Sequence, residues 1–166
     1  MIRAVVVAIA AFVPMLFEAA RSRRNEARLR ARGAIEPADD VYRWMQVVYP
    51  GGFLAMAIES ALRNQPPGVA AMSGAVIFVL GKGLKYAAIA ALGDLWSFKV
   101  LVLPGVALVK TGPYRWLRHP NYVGIVGELI GTAVMAGSPI SGVIAFVTFG
   151  GIMLARIRVE ERALNL

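Results

Sequence analysis

Five apolar stretches, parted by short polar or proline- and glycine-rich segments, constrain this 166-residue chain more than any other feature. A helix needs roughly 20 apolar residues to cross the hydrocarbon core of a bilayer. Residues 4–20, 44–62, 68–92, 122–135 and 140–155 fall at or near that length. Hydrophobic residues make up 58% of the chain and the mean hydropathy is +0.62. A soluble domain is nearer about 45–50% apolar, so a bilayer is the simpler place for this surface. The expected fold class is all-α and integral to a membrane, one domain over residues 1–166. It has five transmembrane helices, a folded loop between the third and fourth, and a C-terminal helix extension.

The basic residues are unevenly shared among the segments outside those spans. Residues 21–43 carry seven Lys or Arg, 93–121 carry four and the C-terminal end carries three, against only Arg3 and Arg63 on the alternate side. Cytoplasmic segments retain Lys and Arg. The bias therefore predicts a multi-pass protein of the cell inner (plasma) membrane, N-terminus outside and C-terminus cytoplasmic, which needs an odd number of spans. The competing reading of residues 4–20, a cleaved signal peptide, is opposed by the arginines at 21–32, which resist translocation. The net charge of +8 serves orientation in the bilayer rather than nucleic acid, because the basic residues sit between apolar runs. Residues 21–40 read equally as an amphipathic helix on anionic headgroups or as a solvated loop. Oligomeric state is open.

The chain has no cysteine and one histidine, His119. Thiolate nucleophiles, disulfides and multi-histidine metal sites are excluded, and no metal is expected. Glu59, Lys82, Lys85 and Glu128 fall inside apolar spans, where each charge costs a few kcal/mol unless paired or facing a cavity. Lys85 and Glu128 lie at matching depths from the same side, so they are expected to approach each other as structural glue. Gly81 and Gly83 beside Lys82 are expected to admit a close neighbouring helix, and Glu59 to reach water at the outer end.

Residues 93–124 are too apolar for a plain linker and too rich in proline and glycine for one helix. Irregular backbone at membrane depth is tolerated only against protein or a cavity, so this loop is expected to line a pocket. It contains Leu108-Val109, then Gly112-Pro113-Tyr114-Arg115, Arg118-His119-Pro120, Tyr122 and Gly124. A second block after the last span reads Arg156-Ile157-Arg158-Val159-Glu160-Glu161. Together these resemble the signature of the isoprenylcysteine carboxyl methyltransferase and phospholipid methyltransferase superfamily, its short bacterial branch in particular. The resemblance covers residues 91–164 well and the first three spans by topology alone. It implies S-adenosylmethionine as cofactor, bound by residues 93–124 and 156–164. Ala107, Leu108, Val109, Tyr114, His119, Pro120, Asn121, Tyr122 and Glu160 then hold the cofactor, and Arg156 positions the substrate anion.

The residue types suit that assignment. Backbone groups at Leu108-Val109 can edge an adenine, Tyr114 and Tyr122 can place rings beside a sulfonium, and Glu160 can accept from ribose hydroxyls. His119 is a possible general base, but the resemblance makes it a cofactor contact; Arg115 and Arg118 read as headgroup anchors. An acidic enol, phenol or carboxylate acceptor needs a cation and an in-line approach more than it needs a strong base. The expected activity is O-methylation of a lipophilic small molecule, an alkylpyrone or alkylresorcinol first. Prenylcysteine carboxyl methylation is second and phospholipid amine methylation third. A membrane scaffold or small transporter would explain the spans and buried charges but not the paired motif blocks.

Overall fold

A computed structural model describes residues 1–66 and 68–164; Pro67, in the turn expected after the second span, and residues 165–166 lie outside it. Among the described residues there are five α-helices: α1 (Ile2–Ala31), α2 (Tyr42–Arg63), α3 (Val69–Leu92), α4 (Pro120–Ala136) and α5 (Pro139–Ala163). Local chemistry sets their ends. Pro120 and Pro139 open α4 and α5 at the first turn, where a missing N–H costs nothing. Gly137 closes α4 at φ +64°, the left-handed conformation that only glycine adopts freely.

The helices run antiparallel in succession. At one end the Met1 amino group donates to Asn64, Arg3 donates to the Met135 carbonyl, and the Ser138 hydroxyl donates to the Met56 carbonyl. Glu59 accepts from the Ser141 amide at 2.7 Å. It caps the first turn of α5 rather than simply reaching water, because two amide donors there have no helical partner. At the other end lie the 21–41 segment, the 93–119 loop and both motif blocks.

Among the described residues, three helices are long and apolar enough to cross a membrane: α1, α3 extended by a short 3-10 turn to Leu95, and α5. Their outward residues are apolar. Ile9, Val13 and Phe17 on α1, Val76 and Val79 on α3, and Val143 and Val147 on α5 are all exposed, as lipid-facing surface requires.

The first span does not stop at Arg21. α1 continues without a break through Ala31, and Ser22, Asn25 and Leu29, spaced by three and four residues, are buried along one face. That face packs on the long loop: Phe98 N–H donates to Ser22 Oγ, and Asn25 Nδ2 donates to the carbonyls of Gly93 and Trp96. The arginine-rich stretch is thus a wall for the loop up to residue 31, neither a free loop nor a separate surface helix.

α3 and α4 are in backbone contact. A Cβ at Gly131 would lie 2.4 Å from Phe78 N, and one at Gly74 would lie 2.3 Å from Met135 N. Gly81 opposes Gly124 in the same way, with 2.8 Å to its carbonyl oxygen. Small residues allow such approach where no hydrophobic force drives helices together. Gly83 faces open space; the close approach expected there belongs to Gly81 alone.

This seam brings the intramembrane charges together. Lys85 Nζ is 3.4 Å from Glu128, as expected, but the assembly is larger. Lys82 Nζ is 2.7 Å from Glu128, Lys85 Nζ is 2.6 Å from Glu18, and Tyr49 donates to Glu128 at 2.7 Å. Two ammonium groups and two carboxylates from α1, α3 and α4 form a buried, neutral quartet, the arrangement that low-polarity surroundings demand. Replacing Gly131 by Ala forces a Cβ into α3 backbone and should lower stability in detergent by about 1–3 kcal/mol. Gly83→Ala should be neutral or slightly stabilising. Unfolding midpoints of the two variants check this.

Candidate functional site

Where the loop folds over the ends of α1, α2, α4 and α5 it encloses a cavity of about 500 Å³. That lies within the roughly 300–1,000 Å³ usual for small-molecule sites. The loop contributes residues 95–103 and 106–109, α4 contributes Tyr122 and Ile125, and α5 contributes Phe149, Arg156 and Glu160. The loop is pinned from outside by an antiparallel bridge between Ile35 and Val102, with reciprocal bonds of 2.9 and 3.0 Å.

Nine of the ten residues singled out from the sequence line this cavity: Ala107, Leu108, Val109, Tyr114, His119, Asn121, Tyr122, Arg156 and Glu160. Pro120 does not line it; it is buried and starts α4, which sets the direction in which Asn121 and Tyr122 leave the backbone. Ala107 and Leu108 are exposed at the rim, whereas Tyr122 and Arg156 are buried.

Arg156 and Glu160 share a face of α5 but do not pair directly. The Tyr122 hydroxyl joins them, donating to Glu160 at 2.7 Å and accepting from Arg156 Nε at 3.1 Å. Arg156 is then held from its other side by Asp40, at 2.7 Å, and by the Phe98 carbonyl. Asp40 is itself fixed, since its carboxylate accepts from the Val100 and Tyr42 amides at 2.9 and 3.0 Å. These three contacts engage part of a guanidinium that carries five N–H groups, so donors remain for an acceptor.

His119 packs its ring on Tyr122, with centroids 5.6 Å apart, and its Nε2 lies 3.1 Å from Glu161. The imidazole therefore has a carboxylate partner outside the expected set. Tyr114 stands on a short 3-10 turn, Gly112–Arg115. Burial, and then the nearby Glu160 charge, push its hydroxyl well above the usual phenol range, so it remains a donor at all physiological pH. Arg115 sits 5.8 Å from the centroid of the exposed Trp116 ring, the pairing expected of an interfacial anchor.

A nucleoside-bearing ligand finds matching chemistry here. Asn121 Oδ1 is buried at the cavity and accepts no hydrogen bond, which leaves an acceptor for an amino or hydroxyl donor. Glu160, near the end of α5, accepts from Tyr122, the residue after Asn121, and Leu108 and Val109 supply an apolar edge.

Sequence reasoning missed Asp40, Glu161 and Glu18. Asp40 ends the polar stretch that reads equally as a surface helix or a solvated loop, and no local signal announces a partner more than a hundred residues away. Asp40 and Arg156 side chains are each 5% exposed, whereas Asp39 pairs with Arg162 at an exposed site. Removing the Asp40 carboxylate with Asp40→Ala strands a buried guanidinium and should cost on the order of 3 kcal/mol. Asp39→Ala should cost less than about 1 kcal/mol. Chemical denaturation in detergent separates the two.

Comparison with known proteins follows the same division of the chain. Residues 74–166 match the model of the isoprenylcysteine carboxyl methyltransferase (ICMT) family. The uncharacterized protein YpbQ of Bacillus subtilis is 33% identical over 149 residues, 89% of this chain and 88% of that protein. The protein-S-isoprenylcysteine O-methyltransferase of Saccharomyces cerevisiae is 36% identical over 93 residues, 55% of this chain and 39% of that enzyme. The human protein of the same name is 35% identical over 97 residues, 57% of this chain and 34% of its own length. No solved structure matches. The match spans α3 from Gly74 onward, the cavity loop and the Arg156–Glu160 block, and on that evidence the chain belongs to the isoprenylcysteine carboxyl methyltransferase family.

Proposed function

We propose that this protein is an S-adenosylmethionine-dependent O-methyltransferase of the plasma membrane acting on a lipophilic acceptor. The observation that carries the reading is the convergence of Asn121, Tyr122, Arg156 and Glu160 on one cavity. That cavity also reaches down between apolar residues of α1 and α2, including Phe12, Met15 and Met45. A polar end for a soluble cofactor thus adjoins an apolar end for a lipid-like molecule.

In this reading Glu160 and Asn121 hold the ribose and adenine of the cofactor, with Leu108, Val109 and Ala107 along its edge. Tyr122 and Tyr114 present rings beside the sulfonium, where cation–π attraction is worth about 0.5–2 kcal/mol. The bound cofactor supplies the electrophilic methyl group. Arg156, held by Asp40, Phe98 and Tyr122, directs its remaining N–H groups to the acceptor anion and so fixes the attacking oxygen. The buried site excludes water from that oxygen. His119 orders the loop against Tyr122 and Glu161 rather than taking a proton.

We read the topology as five spans, with α2 and α4 completing the bilayer crossing beside the three long helices, the N-terminus outside and the cavity end cytoplasmic. The 17 residues of α4 rise about 25 Å, short of the hydrocarbon thickness but paired along its length with α3. For the acceptor, the likeness to the protein-S-isoprenylcysteine O-methyltransferases of yeast and human favours a prenylcysteine carboxylate. An alkylpyrone or alkylresorcinol hydroxyl rests on motif wording alone. Labelled methyl transfer to one of each decides between them.

Saturating S-adenosylhomocysteine should raise the unfolding midpoint of the purified protein in detergent; no shift contradicts the enzyme reading. Tyr122→Phe and Glu160→Gln should each weaken that binding about tenfold or more. Arg156→Lys keeps the charge beside Asp40 but loses the guanidinium fork. It should retain cofactor binding and lose most turnover; loss of both would put Arg156 in the cofactor site.

A further inference from the structure

A second hollow opens between α1 and α3. It holds about 160 Å³ and is lined by Phe17, Glu18, Arg21, Tyr86, Ile89 and Trp96. At roughly 30 Å³ per water, it admits a headgroup but not a whole lipid. Trp96 is buried within it, whereas Phe17 and Tyr86 are exposed. Arg21 is its free cation. The side chain is exposed and enters no ion pair among the described residues, whereas Arg28 and Arg30 farther along α1 are matched by Asp94 and Glu36. Glu18, the carboxylate in the lining, is already balanced by Lys82 and Lys85 at 3.4 and 2.6 Å. The crevice therefore presents a net positive charge.

An apolar track leads to it. Ile9, Val13, Phe17 and Arg21 recur every four residues and form one slanting ridge of α1, and the first three are exposed. From Ile9 to Arg21 the helix rises about 18 Å, a little over half of the roughly 30 Å hydrocarbon core. Both α1 and α3 are long enough to cross a membrane, so the track spans one leaflet and Arg21 stands at headgroup level.

We infer that this crevice binds an anionic phospholipid of the leaflet on the cavity side, with its phosphate on Arg21 and an acyl chain along the Phe17–Val13–Ile9 ridge. A guanidinium can donate two parallel N–H groups to a phosphate. A zwitterionic headgroup brings its own ammonium beside Arg21, and an anionic one does not. Arg23 and Arg24 are exposed close by and draw the same lipid to the surface; the crevice gives it a fixed place. Trp96 lines both this crevice and the main cavity, so the lipid backs the wall of that cavity from outside. The inference needs the crossing of α1 and α3 but not the enzyme reading.

Trp96 also serves as the reporter. With Trp44→Phe and Trp116→Phe it is the sole tryptophan. Its fluorescence is followed in nanodiscs of phosphatidylcholine and phosphatidylglycerol, with bromine, a contact quencher, on the acyl chains of one lipid or the other. Brominated phosphatidylglycerol should reach half-maximal quenching at about fivefold lower mole fraction than brominated phosphatidylcholine, the order set by one basic residue at a membrane surface. In Arg21→Gln the preference should fall below about twofold; in an Arg23→Gln, Arg24→Gln double variant it should persist. Equal quenching by the two lipids before Arg21 is changed, or quenching by neither, overturns the inference. So does a preference that survives Arg21→Gln, or one lost equally in the double variant, which would assign it to surface charge at large. Displacement by millimolar glycerol phosphate would make the ligand a soluble phosphate and overturns it too. Native mass spectrometry of the chain with all its tryptophans should find phosphatidylglycerol retained, and less of it in Arg21→Gln, which keeps the result independent of the tryptophan replacements.

Discussion

α3 and α4 touch backbone to backbone along a seam of glycines, and much of the molecule follows from that contact. A Cβ at Gly74, Gly81, Gly124 or Gly131 would run into the backbone of the facing helix. Without hydrophobic force between helices in lipid, close van der Waals packing and internal polar pairing must hold the bundle. The seam supplies the first and creates the second, since it carries Lys82 and Lys85 to Glu128. It also fixes the start of α4, and with it Asn121 and Tyr122, against the loop that leaves the end of α3.

The second organising element is the bond between the two halves of the chain at the opposite wall of the cavity. Asp40 lies outside the residues that match the family, and Arg156 lies inside them. Their buried pairing ties the segment between α1 and α2 to α5, and the same carboxylate holds the Val100 amide of the loop. Ser22 and Asn25 on the long α1 secure the loop from behind. An irregular apolar segment can therefore stand at the end of the bundle with its polar groups met, as burial requires.

Much of this was legible in the sequence because apolar length and helix punctuation are local signals. The expected spans at 44–62, 68–92, 122–135 and 140–155 sit inside or within a residue of α2 to α5, whose ends are marked by Pro120, Pro139 and Gly137. The motif blocks placed nine site residues on one cavity. What stayed hidden was pairing at long range. No local signal marks Glu18, near the end of the first span, yet it belongs to the quartet. Residues 21–31 carried no sign of where their polar face docks. Asp40 and Glu161 are ordinary carboxylates until folding brings Arg156 and His119 to them.

The central claim is that one end of this bundle, built from the loop, the start of α4 and the end of α5, is a cofactor site. Ultraviolet cross-linking of labelled S-adenosylmethionine to the purified protein, followed by peptide mapping, tests it most directly. The label should fall within residues 106–122 or 156–164. Label confined to the middle of α2 and α3, or none that excess S-adenosylhomocysteine displaces, would contradict it.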